Sequence, residues 1–319
     1  MLAVHLEQGR IQMRRRPRPR RPEGFALIRL RLAGICNTDL ELARGYYAFR
    51  GTPGHEFVGE VVEADRKRLR GRRVVGEINL ACGRCLWCRR GLGRHCPHRT
   101  VLGIAGHPGA FSEFFTLPER NLHVLPDSIP DEEAVFVEPL AAACEILEQV
   151  RIPPGAKVAV LGDGKLGLLV AQVLHREGLR VRLFGRHPEK LAIAEAAGVE
   201  IEARAVRPAA AFEWVIEATG SADGLREAVA MTRPRGTVIL KSTVHELVKL
   251  DTAPVVVNEI SLVGSRCGRF EPALELLRQR ALRLREMITA EYPLAEAPRA
   301  FRAAARKGAL KILLRAAAS

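Results

Sequence analysis

The chain has 319 residues, of which 47% are hydrophobic, so we expect two globular domains rather than a disordered chain. No apolar run reaches the roughly 18 residues of a membrane span and the N-terminus lacks a secretory signal, which predicts a cytoplasmic protein without a membrane partner. The formal net charge is +14, but the basic residues are spread along the chain, which favours solvated charges over nucleic-acid binding.

Short alternating apolar runs mark the N-terminal part of the chain. Residues 1–35, 57–63 and 73–75 contain runs such as FALIRLRLAG and FVGEVVE, separated by Gly and Pro. This pattern predicts the strands of a small barrel or sandwich. The arginine-rich residues 14–21 contain two prolines and are predicted to form an exposed turn between two strands.

Metal-ligating side chains follow one of these strands. Cys36 lies in GICNTDLEL at 34–42, and His55 and Glu56 follow in GHE. A thiolate, an imidazole and a carboxylate are the ligands of a zinc ion that keeps one coordination position open. We therefore predict a catalytic zinc site here, although a single cysteine such as Cys36 is more often a buried thiol.

Four of the seven cysteines form one cluster in CGRCLWCRRGLGRHC. Cys82, Cys85, Cys88 and Cys96 have the spacing C-x2-C-x2-C-x7-C. Four thiolates this close can surround one tetrahedral zinc with no open position, which predicts a structural site. Free thiols that cluster by chance are the alternative, and disulfides are not expected without a secretion signal.

From residue 130 onward, strands and helices alternate. A helix is predicted over 131–150, and the apolar strand KVAVL then enters the turn Gly162-x-Gly164-x-x-Gly167, which includes Lys165 and Leu166. In this setting the glycines permit a tight turn and the approach of a pyrophosphate to a helix N-terminus. Further strands are predicted at 181–184, around Ile201, and at 214–220, 236–242 and 260–264. Six strands with crossover helices predict a doubly wound parallel sheet.

The end of the second of these strands bears on the choice of nucleotide. NAD-binding proteins usually place an acid there to hold the ribose hydroxyls. Here the strand ends in Gly185, Arg186 and His187, so there is no acid to repel a phosphate and an arginine is available to pair with one. This predicts NADP(H) over NAD(H). Thr219, after the fourth strand, is either a ligand contact or part of an ordinary turn.

Together these motifs resemble the zinc-dependent medium-chain dehydrogenase/reductase family, the group of alcohol, polyol, glucose and threonine dehydrogenases. The matching segments also include GHEFVGEV at 54–61, VEPLA at 137–141 and EATG at 217–220. The resemblance implies an α/β protein with a Rossmann-type doubly wound sheet over 140–267. It also implies a mostly β, GroES-like catalytic domain, with a structural-zinc lobe, over 1–139 and 268–319. The chain beyond Phe270 is predicted to be helical, and the final apolar run at 312–314 to return to the first domain.

The resemblance also implies ligand roles. In the family, the positions of Cys36, His55 and Glu138 hold the catalytic zinc. Glu56 is then a fourth or transient ligand. Asp39 matches an acid that orients the zinc-bound histidine.

Three further residues are assigned from the same comparison and from their chemistry. Thr38 is predicted to accept the proton of the substrate hydroxyl. Glu41 stands where the family often has a relay histidine, so the relay either continues through this carboxylate or ends in water. Lys311 matches a basic position that meets the pyrophosphate, and an ordinary surface lysine is the alternative.

These observations predict a zinc-dependent oxidoreductase that transfers hydride between an alcohol or polyol, or its carbonyl, and NADP(H). We expect two zinc ions per chain and, by family analogy, a homodimer or homotetramer. A zinc-stabilised nucleic-acid-binding protein is one alternative, supported only by the charge. A nucleotide-sensing protein without turnover is another, and the presence of Cys36, Thr38 and His55 opposes it.

Overall fold

The computed structural model describes residues 1–203, 210–243 and 248–317. The chain divides into one compact unit of Met1–Glu138 with Ile288–Ser319 and a second of Pro139–Met287. The sequence placed the return to the first domain at residue 268, whereas the structure keeps residues 268–287 in the second unit. Gly268 lies against the carbonyl of Ala141, and Arg269 donates to Glu148 at 2.9 Å, so this segment is tied to the second unit. Within the described residues, no helix is both long and apolar enough to cross a membrane.

The first unit consists mainly of strands, as the short apolar runs predicted. Its first part contains β1 (Leu2–Glu7), β2 (Arg10–Arg15), β3 (Phe25–Ile35), β4 (Arg50–Gly51), β5 (Glu56–Glu63), β6 (Arg73–Gly76), β7 (Asn79–Leu80), β8 (Thr100–Leu102), β9 (Gly106–His107), β10 (Phe114–Pro118) and β11 (Leu122–Val124). The turn predicted from residue 14 starts later, because Arg14 and Arg15 belong to β2 and pair with Ala3 and Leu2 of β1.

Short helices α1 (Asn37–Ala43) and α2 (Leu86–Arg89) lie between these strands, α3 (Asp131–Ala134) follows them, and the longer α4 (Val137–Gln149) leads into the second unit. The sequence predicted one helix over 131–150, but the structure contains two. Pro139 explains the break, because proline has no N–H to donate and its ring clashes with the carbonyl four residues earlier in a continuous helix. The chain therefore ends α3 before Val135 and starts α4 with Pro139 in its first turn.

The second unit alternates strands and helices. Its elements are β12 (Lys157–Leu161), α5 (Lys165–Arg176), β13 (Arg180–Phe184), α6 (Pro188–Ala196), β14 (Glu200–Glu202), β15 (Phe212–Glu217), α7 (Ala222–Met231), β16 (Thr232–Leu240), α8 (Ala253–Val257), β17 (Ser261–Gly264) and α9 (Phe270–Arg278). The strands form one sheet in the order β14-β13-β12-β15-β16-β17, and all neighbours pair in parallel. This confirms the predicted doubly wound sheet, in which the order reverses between β12 and β15.

The chain then completes the first unit with β18 (Ile288–Pro293), α10 (Ala297–Ala304) and β19 (Lys311–Arg315). β19 pairs antiparallel with β3, placing Ile312 opposite Ile35, so the final apolar run returns to the first unit as predicted. The main sheet has the order β11-β6-β5-β3-β19-β18, with β10 also on β3. β18 was not predicted. Its side chains alternate between half-buried and exposed, and this weak alternation gives little sign of a strand.

The core of the second unit lies against its central strands. Leu161 and Phe184, at the ends of β12 and β13, are buried in one cluster with Val215, and Ala228 of α7 joins them. Because strands of a parallel sheet are covered on both faces, the central residues of β12 form a continuous apolar run, Val158–Leu161. The packing fixes the two strand ends from which the turns described below begin.

A partly buried ion-pair cluster around Asp131 is expected to contribute to the stability of the first unit. Asp131 is 7% exposed and accepts from Nε of Arg31 at 2.7 Å and from Nη1 of Arg73 at 2.6 Å. Asp131→Ala removes the carboxylate and leaves both guanidinium groups without it. We expect urea unfolding to show that the free energy of unfolding falls by about 2–3 kcal/mol.

Asp223→Ala is the matched control, because Asp223 is 77% exposed and pairs with Arg226 on the same helix. This substitution should lower the free energy of unfolding by less than about 0.5 kcal/mol. Equal destabilisation by the two substitutions would contradict this interpretation.

Candidate functional site

The structure brings Cys36, His55 and Glu56 together. Cys36 follows β3 and forms the N-cap of α1, while His55 and Glu56 enter β5, which pairs with β3 so that Gly34 faces Glu56. One sulfur, one ring nitrogen and one carboxylate oxygen of these residues all lie within 4.8 Å of one another. His55 and Glu56 are buried and Cys36 is half-buried, so the group is open on the side of the cysteine.

Asp39 binds the backbone next to Cys36 and His55. It is fully buried in α1, and its Oδ2 accepts the N–H of Cys36 at 2.9 Å while its Oδ1 accepts the N–H of Gly54 at 3.1 Å. The same Oδ1 lies 3.5 Å from Nδ1 of His55. Asp39 thus holds the backbone on both sides of the group and faces one nitrogen of the histidine ring.

The charge distribution fits a cation. Nδ1 of His55 is buried and makes no hydrogen bond within the described part of the chain, so Asp39 meets it only as a nearby charge. Burial opposes protonation of the ring, but Asp39 and Cys36 together outweigh it and raise the pKa of His55 well above its usual value. A site that favours positive charge among sulfur, nitrogen and oxygen donors has the chemistry that zinc requires.

Glu138 lies half-buried in the first turn of α4 and takes part in an interaction of its own. The carboxylate that lies within 4.8 Å of the ligand atoms of Cys36 and His55 is that of Glu56, which the resemblance assigned as a fourth or transient ligand. The role of Glu138 as the third ligand stays a prediction.

Lys311 also has a different partner from the one expected. It was assigned to a pyrophosphate, but it is 1% exposed in β19, and its Nζ donates to Oε2 of Glu56. The ring of Phe136 lies 5.4 Å from this nitrogen. Spacing in the sequence gave no sign of this pair, because Glu56 and Lys311 meet only through the pairing of distant strands. A carboxylate has two oxygens, so the contact leaves one for a metal.

The two residues proposed for proton transfer lie on α1. The Sγ of Cys36 is 3.8 Å from the hydroxyl of Thr38, which is half-buried. Glu41, one turn further, accepts from Nη1 of Arg44 at 2.5 Å. Thr38 therefore lies beside the metal group, and Glu41 is engaged by an exposed arginine.

The second group is the four-cysteine lobe. Cys85 is the N-cap of α2 and Cys96 follows a short 3-10 turn, and the sulfurs of Cys82, Cys85, Cys88 and Cys96 lie 3.5–3.9 Å apart in the three closest pairs. Four sulfurs about 2.3 Å from one zinc would be roughly 3.8 Å apart, so the cage has the right size. Backbone N–H groups of Arg84 and Cys85 lower the pKa of Cys82 to about 6, which provides a thiolate at neutral pH.

The glycine turn follows β12 in the second unit. Gly162 has a φ of 108°, which other residues rarely adopt, and a Cβ on Gly167 would lie 1.8 Å from the carbonyl oxygen of Gly162. In contrast, a Cβ on Gly164 would meet no atom within 4 Å. Lys165 and Leu166 follow in the first turn of α5. The turn thus presents an open backbone N-terminus, as pyrophosphate binding requires.

The end of β13 contains a residue that the sequence reasoning missed. Gly185 is buried, Arg186 is exposed and His187 is the N-cap of α6. Asp163, between the glycines of the turn, accepts the N–H of Arg186 at 2.6 Å and that of His187 at 2.7 Å. The only signal in the sequence was an acid inside the glycine turn, and its partners could not be read from spacing.

Thr219 lies just after β15 and makes hydrogen bonds to its own neighbours in sequence. Its N–H and hydroxyl both donate to Oε1 of the buried Glu217, at 2.7 and 2.6 Å, and its oxygen receives the N–H of Ser221 at 3.1 Å. These bonds make a rigid turn at the carboxyl end of the sheet. The structure therefore gives Thr219 a turn role, and a nucleotide contact stays a prediction.

Comparison with known proteins assigns the family. A model of the alcohol dehydrogenase GroES-like domain matches residues 22–127, and a model of the zinc-binding dehydrogenase matches residues 166–279. The L-threonine 3-dehydrogenase of Chelativorans sp. (strain BNC1) is 32% identical over 280 residues, which cover 81% of this chain and 80% of that protein. The chain belongs to the zinc-dependent medium-chain dehydrogenase/reductase family. It is an oxidoreductase, and this family assignment favours an enzyme over the nucleic-acid-binding and sensing alternatives.

Two other relatives bear on substrate and nucleotide. The sorbitol dehydrogenase of Halalkalibacterium halodurans is 27% identical and covers 96% of both chains. A structure described as a zinc-binding dehydrogenase of Sinorhizobium meliloti 1021 bound to NADP is 29% identical, with a TM-score of 0.89 and 98% of both chains covered. Both likenesses extend over both units and agree with the predicted pairing of a GroES-like domain with a Rossmann-type sheet.

Alanine at the second and at the third glycine of the turn should have different effects on stability and on nucleotide binding. In Gly167→Ala the new Cβ collides with a backbone carbonyl, so we expect a thermal midpoint several degrees lower, from a loss of about 2 kcal/mol. Gly164→Ala meets open space at an ordinary φ of −76°, so its midpoint should fall far less while binding of adenine dinucleotides weakens. Calorimetry and nucleotide titration of both variants provide the check, and a larger midpoint loss in Gly164→Ala would contradict the packing analysis.

Proposed function

We propose that this family member is an NADP-dependent zinc dehydrogenase of alcohols or polyols. The observation that carries the proposal is the convergence of Cys36, His55 and Glu56 above Asp39. The likeness to a sorbitol dehydrogenase over 96% of both chains supports a polyol as the substrate class. The reaction would transfer a hydride between the carbon that bears the hydroxyl and the nicotinamide.

In this proposal Cys36, His55 and Glu138 hold the reactive metal, and Glu56, whose carboxylate lies beside the first two, is the fourth or transient ligand. A zinc ion bound there supplies Lewis-acid polarisation of the substrate oxygen, and bound NADP supplies the hydride acceptor. Asp39 keeps the histidine ring in position through its charge beside Nδ1, which leaves the opposite ring nitrogen for the metal. Lys311 holds the Glu56 carboxylate in place through a buried pair.

The hydroxyl proton of the substrate must leave before hydride can be transferred readily. Thr38 can accept a proton and donate its own, and it lies next to the metal ligands and half-exposed. We propose that it takes the substrate proton first. From there the proton reaches solvent, either through Glu41 or through water beside it, since Arg44 already occupies one oxygen of Glu41.

The second unit would bind the nucleotide. Gly162, Gly164 and Gly167 would receive the pyrophosphate at the start of α5. The turn after β13 lacks an exposed acid and offers Arg186, whose guanidinium makes no ion pair within the described residues. An unpaired arginine at the ribose position favours a 2′-phosphate, which agrees with the NADP bound by the Sinorhizobium meliloti relative.

Cys82, Cys85, Cys88 and Cys96 would hold a second zinc with a structural role, because four sulfurs leave no open position. We also propose a homodimer or homotetramer. Val257 of α8 is 78% exposed, and Leu262 lies exposed on the edge strand β17. An apolar edge strand is commonly covered by another chain.

The function is tested by assaying purified protein against a panel of alcohols, polyols and sugars with NADP or NAD, following the absorbance of the reduced nicotinamide. We expect turnover with polyols and two zinc ions per chain by elemental analysis. Turnover that persists after complete removal of zinc would contradict the proposal, because the chain offers no other group to polarise the substrate oxygen within the described site.

Single substitutions assign each zinc to its ligands. Cys36→Ser and Glu138→Gln should each lose one zinc and reduce kcat by at least about a hundredfold, and Glu56→Gln should lower the occupancy of the same zinc. Cys96→Ser should lose the other zinc and lower the thermal midpoint. Cys144→Ser is the control, because Cys144 is buried apart from both metal groups, and it should retain two zinc ions.

Arg186→Asp tests the choice of nucleotide. Replacing the cation with an acid should lower kcat/KM for NADP by roughly tenfold to a hundredfold, through loss of a charge-assisted contact. Activity with NAD should hold or rise, since an acid can accept from ribose hydroxyls. Arg180→Asp, at the opposite end of β13, should leave the ratio unchanged. Equal Michaelis constants of the wild type for NADP and NAD would contradict the NADP proposal.

A further inference from the structure

Asp163 is a buried acid that the proposed chemistry does not use. It lies between Gly162 and Gly164, and its carboxylate reaches across to the end of β13. Oδ2 accepts the backbone N–H of Arg186 at 2.6 Å and that of His187 at 2.7 Å. Nδ1 of His187 lies 3.1 Å from both carboxylate oxygens. One side chain therefore binds two consecutive residues of the second turn.

Packing reinforces these bonds. A Cβ on Gly185 would lie 2.6 Å from Oδ2 of Asp163, so only glycine lets the turn close onto the acid. The N–H of Gly162 donates to the carbonyl of Phe184 at 2.9 Å, which joins the two turns by a further backbone bond. The path of the chain from β13 into α6 is thereby set by the glycine turn itself.

Asp163 does not take the role of the acid that holds ribose hydroxyls in NAD-binding proteins. Both of its oxygens already face donors from Arg186 and His187. Burial works against the charge, but the hydrogen bonds from His187 and Arg186 outweigh it and keep the pKa of Asp163 below its usual value. The acid is ionised and its charge is balanced inside the protein.

The consequence appears on the outer side of the turn. Arg186 is held by its backbone N–H, while its side chain is exposed and has no ion-pair partner in the part of the chain that the structure describes. A guanidinium on an anchored backbone loses less conformational freedom on binding a phosphate than one on a free loop.

We propose that Asp163 is a positioning residue that determines nucleotide specificity. It anchors the turn after β13 so that Arg186 and His187 face the 2′-phosphate of NADP. This inference rests on the proposed use of NADP. The glycine turn, which would bind the pyrophosphate, would then also position the residues that bind the 2′-phosphate.

Asp163→Asn tests the proposal with two nucleotide fragments, adenosine 2′,5′-bisphosphate and adenosine 5′-monophosphate, titrated calorimetrically. The amide keeps the size of the side chain and can still offer its oxygen to the N–H groups of the turn, but it removes the negative charge that strengthens these hydrogen bonds and the contact with His187. We expect affinity for the bisphosphate to fall about tenfold and affinity for the monophosphate to change less than about twofold. Thermal midpoints of the variants are measured in parallel.

Gly185→Ala reaches the same contact from the other side, because its Cβ displaces the carboxylate while the negative charge remains. It should show the same selective loss, which keeps the proposal testable if Asp163→Asn folds poorly. Glu213→Gln is the control: it removes a carboxylate paired with Arg233 at 2.5 Å, at the far end of β15, and should change neither affinity.

The outcomes separate the two proposals. If Asp163→Asn binds the bisphosphate as tightly as the wild type or more tightly, and the wild type still prefers the bisphosphate, only the positioning role of Asp163 is overturned. Such a result would mean that the carboxylate merely repels the phosphate. Equal affinity of the wild type for both fragments overturns the NADP assignment and, with it, this inference.

Discussion

The carboxylate of Asp39 is the contact on which the metal group depends. It accepts N–H groups on either side of the group, from Cys36 and Gly54, and it faces the ring of His55. Without it, the start of α1 and the residues before β5 would be joined only through the pairing of β3 with β5, and a buried imidazole would lack its compensating charge. The ligands are held in place before any metal arrives, which reduces the cost of assembling the site.

The second unit also contains a buried acid that binds backbone N–H groups at the start of a helix. Asp163 accepts N–H groups at the start of α6 as Asp39 does at the start of α1, and each acid sits where a strand gives way to a helix. Free N–H groups at such junctions favour negative charge, so a buried acid is stable there. In both units the acid fixes the backbone, and the neighbouring side chains, Cys36 or Arg186, remain available for ligands.

Most of the fold could be predicted because its signals are local. The six apolar strands, the glycine turn and the cysteine spacing each lie within a few residues, and the parallel sheet and the family are confirmed. The buried pair of Lys311 with Glu56 could not be predicted, because it depends on which strands meet in space. Strand β18 was not predicted for another reason. Its side chains alternate only between half-buried and exposed, and this pattern is too weak to indicate an edge strand.

The pair between Glu56 and Lys311 has a consequence for biosynthesis. The two residues are separated by 255 positions, and Lys311 belongs to the last strand of the described residues. During translation the N-terminal strands leave the ribosome with Glu56 still lacking its cation, and the carboxylate must stay hydrated until β19 emerges. Loading of zinc into a site that contains this pair is therefore expected only after β19 has been synthesised, while the cysteine lobe, whose ligands are all close in sequence, can capture its ion earlier.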